Sequence, residues 1–238
     1  MLSEMGLTLA QAWPKQAAVV PPAAQRLART VSPGAPTVPF VQPLREPALR
    51  SGIEGMEWDA LQQVVAGCQA CKLCSGRTRT VFGVGDRHAD WLIVGEAPGE
   101  NEDLQGEPFV GQAGKLLDNM LKALGLDRRS KVYIANVLKC RPPGNRNPEP
   151  DEVAQCEPFL RRQVQLLQPK IILAMGRFAV QALLGSTEPI GKLRGRAHEY
   201  CGVPVVATYH PAYLLRNLPD KAKAWADLCL AQELLRQL

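Results

Sequence analysis

Seven cysteines, a histidine set before a proline, and a few polar residues behind apolar runs are where this chain could do chemistry. Cys68 and Cys71 are separated by two residues, so both thiolates can reach one metal centre. Cys140 and Cys156, with fifteen residues between them, complete a set of four sulfur ligands. Zinc sites usually show two tight knuckles, so the long second gap favours a 4Fe-4S cluster, with structural zinc as the competing reading. Cys74 extends the first pair but lacks the Cys-Pro that closes a ferredoxin run, and stays in reserve. Cys201 and Cys229 read as unliganded core thiols.

The other candidates are polar. Gly95-Glu-Ala-Pro-Gly99 follows an apolar run, with glycines that allow close backbone approach to a ligand and a proline that fixes the loop. Glu96, Glu100, Glu102 and Asp103 read either as a solvated acidic loop or, for a carboxylate at a strand end, as a group facing a ligand crevice. Asn136 either caps the chain leaving its strand or offers the paired donor and acceptor that reading a base edge requires. His210 has the competing reading of a satisfied buried imidazole. Leu214, Leu215 and Arg216, bracketed by turn residues, suit a wedge into stacked bases, with plain core as the alternative.

These residues need elements to hold them. Apolar runs at Trp91–Val94, Val132–Val137, Lys170–Met175 and Val203–Thr208 predict strands. Helices are expected over Trp58–Ala66, Ala113–Leu124, Pro150–Leu167, Phe178–Leu184 and from about Lys221 to Leu238. Gly83-x-Gly85 precedes a strand instead of following one, which fails the dinucleotide-binding context and predicts a turn. The alternation implies an α/β chain: a three-layer α/β/α sandwich with a central, mainly parallel, four-stranded sheet. Ligands of such folds sit at the carboxyl ends of strands, where Glu96, Asn136 and His210 fall.

Composition sets the bounds. The chain has 238 residues, 46% of them apolar, enough for a real core. No run approaches the roughly eighteen apolar residues of a membrane span, and no secretory signal opens the chain, so a cytoplasmic place is expected. Net charge is +5, which permits nucleic-acid binding without demonstrating it. Arg77, Arg79, Arg141, Arg146, Arg194, Arg196 and Arg216 beside loop-like sequence point the same way, against scattered solvated arginines. Residues 1–55 hold eight prolines and read as a flexible leader, available to a repair or replication partner. Within it, Met1–Ala12 could form a short amphipathic helix. Residues 56–238 form the expected globular domain.

Together the motifs Val94-Gly-Glu-Ala-Pro-Gly99, Pro108-Phe-Val-Gly111, Tyr133-Ile-Ala-Asn136, Lys139-Cys-Arg-Pro-Pro143 and His210-Pro-Ala-Tyr-Leu-Leu-Arg-Asn217 resemble the family 4 uracil-DNA glycosylases, over about residues 60–237. This is the iron–sulfur branch of its superfamily. The resemblance implies cluster ligands at Cys68, Cys71, Cys140 and Cys156, and a uracil base flipped out of DNA into a pocket. Phe109 would stack on the base, Asn136 would pair with its polar edge, and Ala97 and Pro98 would close the pocket. His210 would donate to the uracil oxygen that gains charge, Glu96 would orient water, and Glu102 would help exclude the 5-methyl of thymine. No motif lysine is placed for a Schiff base, so a monofunctional enzyme leaving an abasic site is implied, working as a monomer. Asn136 to Pro150 contains no histidine, so a covalent suicide reaction with the abasic site is not expected. The competing class is a non-catalytic iron–sulfur module that binds nucleic acid.

Overall fold

Continuous apolar runs in the inner strands build a sheet buried on both faces. The computed structural model describes residues 52–238; Met1–Ala12 and nearly all of the proline-rich segment lie outside the described residues. The strands are β1 (Val84–Gly85), β2 (Trp91–Gly95), β3 (Val132–Asn136), β4 (Ile171–Met175), β5 (Ala197–Tyr200) and β6 (Val203–Thr208). Their order across the sheet is β1-β3-β2-β4-β6-β5. The four inner strands run parallel, and β1 and β5 pair antiparallel at the two edges.

The sheet therefore has six strands where the apolar runs predict four. β1 is two residues long, and the turn expected around Gly83–Gly85 runs into it. β5 alternates exposed and half-buried residues and carries no apolar run. Edge strands need only one partner and one covered face, so periodicity leaves them faint.

On one face Trp91, Ile93, Val132, Ile134, Ile171 and Leu173 pack against three helices. These are α3 (Gln112–Ala123), α7 (Pro211–Leu214) and α8 (Lys221–Arg236). On the other face Leu92, Val94, Tyr133, Ala135, Ile172 and Ala174 meet α4 (Pro150–Leu167), α5 (Arg177–Leu184) and α6 (Ile190–Leu193). That is the three-layer sandwich. Each such buried aliphatic side chain contributes about 1.5–3 kcal/mol. A smaller cluster seats α1 (Trp58–Ala66) on α4 through Leu61, Val65, Phe82 and Phe159, and Ile53 is buried in the same cluster.

The acidic run after β2 is not an open loop. It forms α2 (Glu100–Gln105), with Glu100, Glu102 and Asp103 in the first turn, where carboxylates complement the helix dipole. α4 opens on Pro150 with a capping box in which the Glu152 carboxylate accepts from Glu149 N–H at 2.9 Å. Among the described residues, no helix is long and apolar enough to cross a membrane. Because the inner strands are parallel, Gly95, Asn136, Met175 and Thr208 all end at one edge of the sheet.

Candidate active site and cysteine cavity

Strand register builds the first half of the site. Gly95 on β2 lies directly beside Asn136 on β3, and the pairing continues past both strands. Val137 N–H donates to Gly95 O and Leu138 N–H to Glu96 O, each at 3.0 Å. A Cβ on Gly95 would lie 2.4 Å from Asn136 Oδ1 and 2.6 Å from Phe109 Cζ. Only glycine lets the amide and the ring converge there. Asn136 and Phe109 are both buried.

The second half comes from the end of β6. His210 caps α7, and its Nδ1 accepts from Ala212 N–H at 3.1 Å. Burial pushes the imidazole down to about 4, so it is neutral at physiological pH. With Nδ1 accepting, the proton of the neutral ring sits on Nε2, leaving one N–H to donate. The ring stacks on Phe109, with centroids 5.4 Å apart and planes 25° from parallel. Glu96 follows Gly95 and is half-buried. Burial lifts its carboxyl to about 7, against the pull of the Arg177 guanidinium. Asn136, Phe109, His210 and Glu96 thus meet at the carboxyl ends of β2, β3 and β6.

Pro98 is buried and Ala97 half-buried in the loop after Glu96. Glu102 is taken up by the loops around it. Its carboxylate accepts from Gly99 N–H at 3.1 Å, Val110 N–H at 2.9 Å and Gly111 N–H at 3.3 Å. Leu214 is 0% exposed and belongs to the core against α3, so it does not join a surface wedge. Leu215, 43% exposed, and the exposed Arg216 occupy the tip instead.

Cys68, Cys71, Cys74, Cys140 and Cys156 line one cavity, together with Arg77 and Lys139. Among the described residues, no group of three His, Cys, Asp or Glu side chains is gathered to hold a metal ion. Burial pushes the Cys71 and Cys140 thiols up, and that of Cys156 to about 12. Arg77 donates to Cys140 Sγ at 3.3 Å, to Cys68 O at 2.7 Å and to Ala66 O at 3.1 Å. Lys139 is 1% exposed, and its Nζ donates to Asn136 O at 2.8 Å and Gln163 Oε1 at 2.7 Å. Both acceptors are neutral, and burial drives the ammonium down to about 7, opposed by the neighbouring Cys156 and Cys140 sulfurs. A buried cation wants an anion, and a thiolate-ligated metal centre in the adjoining cavity would be one. Ala97 packs against the buried Leu73, Leu138, Cys140 and Cys156, so the cavity wall and the pocket loop are continuous.

Several buried polar contacts carry no signal in the sequence. Lys139 stands inside a quoted motif, yet nothing in its position signalled burial. Arg77, Arg146 and Arg194, grouped with the candidate nucleic-acid arginines, are committed inside the protein. Arg146 grips the buried Glu152 at 2.5 and 2.9 Å, and Arg194 grips the buried Asp227 at 2.8 and 3.0 Å. Cys201 and Cys229 are exposed, not core thiols.

The uracil DNA glycosylase superfamily model matches residues 82–229. A type-4 uracil-DNA glycosylase of Archaeoglobus fulgidus is 46% identical over 165 residues, covering 66% of this chain and 82% of the relative. A type-4 uracil-DNA glycosylase of Thermotoga maritima is 44% identical over 167 residues, 69% of this chain and 86% of the relative. A type-5 uracil-DNA glycosylase of Pyrobaculum aerophilum is 34% identical over 152 residues, 56% of this chain and 66% of the relative.

Proposed function

This chain belongs to the uracil DNA glycosylase superfamily, and we propose that it excises uracil from DNA by hydrolysing the N-glycosidic bond, leaving an abasic site. The observation that carries the mechanism is the neutral His210, with Nδ1 occupied by Ala212 N–H and its ring stacked on Phe109. A fixed, uncharged donor suits an oxygen whose negative charge develops only as the bond breaks.

The flipped base enters beside Gly95 and stacks on Phe109. The Asn136 amide reads its polar edge, its Oδ1 accepting from a ring N–H and its Nδ2 donating to the neighbouring carbonyl oxygen. His210 Nε2–H donates to the uracil oxygen that gains charge as the glycosidic bond lengthens. The sugar becomes oxocarbenium-like, and Glu96, ionised above about pH 7, accepts a proton from the attacking water. Ala97 and Pro98 close the pocket. Glu102 acts through the loop it ties, holding Val110 and Gly111 where the 5-position of the base passes. Leu215 fills the gap left in the base stack and Arg216 meets a phosphate, with Leu214 anchoring them from the core.

Cys68, Cys71, Cys140 and Cys156 would hold a 4Fe-4S cluster, a reading supported by their shared cavity and by Arg77 and Lys139 against the sulfurs. Held there, it would tie Cys68, Cys71, Cys140 and Cys156 together as a staple and would supply no electrons to a hydrolysis. The acting unit is a single cytoplasmic chain on uracil-containing DNA. Its catalytic domain is residues 56–238, and residues 1–55 serve contact with a repair or replication partner.

Incubation with a uracil-containing single-stranded oligonucleotide is expected to yield strands that break only after hot alkali. Uracil DNA that is bound but never converted would overturn the proposal in favour of a non-catalytic module.

A further inference from the structure

We infer that Arg128 is a positioning residue for the base pocket, holding Phe109 in the one backbone conformation that stacks its ring on His210. The inference rests on the role proposed above for Phe109. Phe109 has φ of 55°, the left-handed region, which is uncommon and costly for a bulky side chain and persists only where surroundings enforce it.

The enforcement comes from both sides of the loop. Glu102 takes its N–H groups, from Val110 and Gly111. Arg128 takes its carbonyls: Nη2 donates to Phe109 O at 2.8 Å and to Pro108 O at 3.4 Å. A carboxylate on the donors and a guanidinium on the acceptors match the loop's polarity at each contact. The guanidinium is itself aimed. Its Nε lies 2.9 Å from Asp118 Oδ1 on α3, an ion pair angled away from a hydrogen bond, and the side chain is 17% exposed. Behind the loop, α3 comes so close that a Cβ on Gly114 would sit 1.8 Å from Phe109 O. The turn carrying Arg128 is closed by an Asp127–Ser130 bridge and by Leu126 N–H donating to Leu121 O at 3.0 Å.

Without the guanidinium, the two carbonyls lose their charged donor, and the close approach of α3 at Gly114 is left to hold that side of the loop by shape alone. The ring then leaves the His210 plane. Arg128 touches neither base nor sugar; it acts through Phe109.

The test is a double-mutant cycle of Phe109→Leu and Arg128→Met, read as kcat/KM for uracil release, with Arg128→Lys as the conservative variant. Losing a charge-assisted hydrogen bond predicts a fall of roughly tenfold to a hundredfold for R128M. The F109L/R128M double variant is expected to be no slower than F109L alone, and R128K to recover part of the loss. Multiplicative losses in the double variant, or full activity in R128M, would overturn the inference while leaving the glycosylase reading intact. Full activity in F109L would overturn the stacking role, and the inference with it. Should R128M fail to fold, Asp118→Asn, which only loosens the aim of Arg128, carries the same cycle with the same criteria.

Discussion

The base pocket and the cysteine cavity lie on either side of residues 136–140, yet they are built in opposite ways. The pocket is made of uncharged or barely charged groups at strand ends: a neutral His210, the Asn136 amide, the Phe109 ring and a Glu96 lifted to about 7. The cavity sets the half-buried Arg77 guanidinium on Cys140 Sγ and the buried Lys139 amine beside the same thiols. Chemistry that develops charge transiently is served by preorganised dipoles, whereas basic groups around a set of thiols suit a permanently anionic occupant. Lys139 belongs to both, since it lines the cavity and caps the carbonyl of Asn136. Lys139 thereby links the cavity to the strand end that carries Asn136.

Substitutions can break that division. Asn136→Ala is expected to lower kcat/KM on the order of a hundredfold, with visible absorbance and metal content unchanged. Loss of metal in that variant would mean the two regions are one unit. Lys139→Met should do the reverse. It leaves Asn136 O and Gln163 without their donor, costing about 2–4 kcal/mol in a denaturant titration and lowering the iron content expected of the proposed cluster. Wild-type stability in that variant would remove Lys139 as the bridge.

The wedge offers a sharper contrast. Leu214→Ala is expected to cost about 2–5 kcal/mol, as a core truncation. Leu215→Ala should stay within about 0.5 kcal/mol and slow excision from duplex DNA more than from single strands. Equal stability losses in the two would contradict the assignment of one leucine to the core and the other to the surface. The last contrast is one of pH. Burial lifts the Glu96 carboxyl to about 7, and its proposed role needs it ionised, so kcat/KM should rise roughly tenfold per pH unit below that value and level off above it. His210, neutral above about 4, adds no second limb in this range. Glu96→Gln should flatten the profile.

Much of the fold was legible because its signals are local. Trp58–Ala66, Pro150–Leu167 and Val203–Thr208 match the predicted spans to the residue, the second opening on Pro-Asp-Glu and the third an apolar β-branched run. β1 and β5 were not legible, since a two-residue pairing and a half-exposed edge carry no periodic excess. α2 was masked by acidic residues that read equally well as solvated loop. The site divides in the same manner. His210, Asn136, Glu96 and Phe109 could be named from motifs and strand ends, whereas Arg128 and Lys139 act through contacts with residues 19 and 24 positions away in the chain. Leu214 and Leu215 are chemically identical neighbours, and only the packing of α7 on α3 tells them apart.

The most direct measurement is single-turnover release of free uracil from a labelled oligonucleotide by the parent and by His210→Gln, at matched visible absorbance. The account predicts release by the parent and a loss of about a hundredfold to a thousandfold in H210Q, with the thermal transition nearly unmoved. Equal release by the two proteins, or none by the parent while it still binds the DNA, would contradict it.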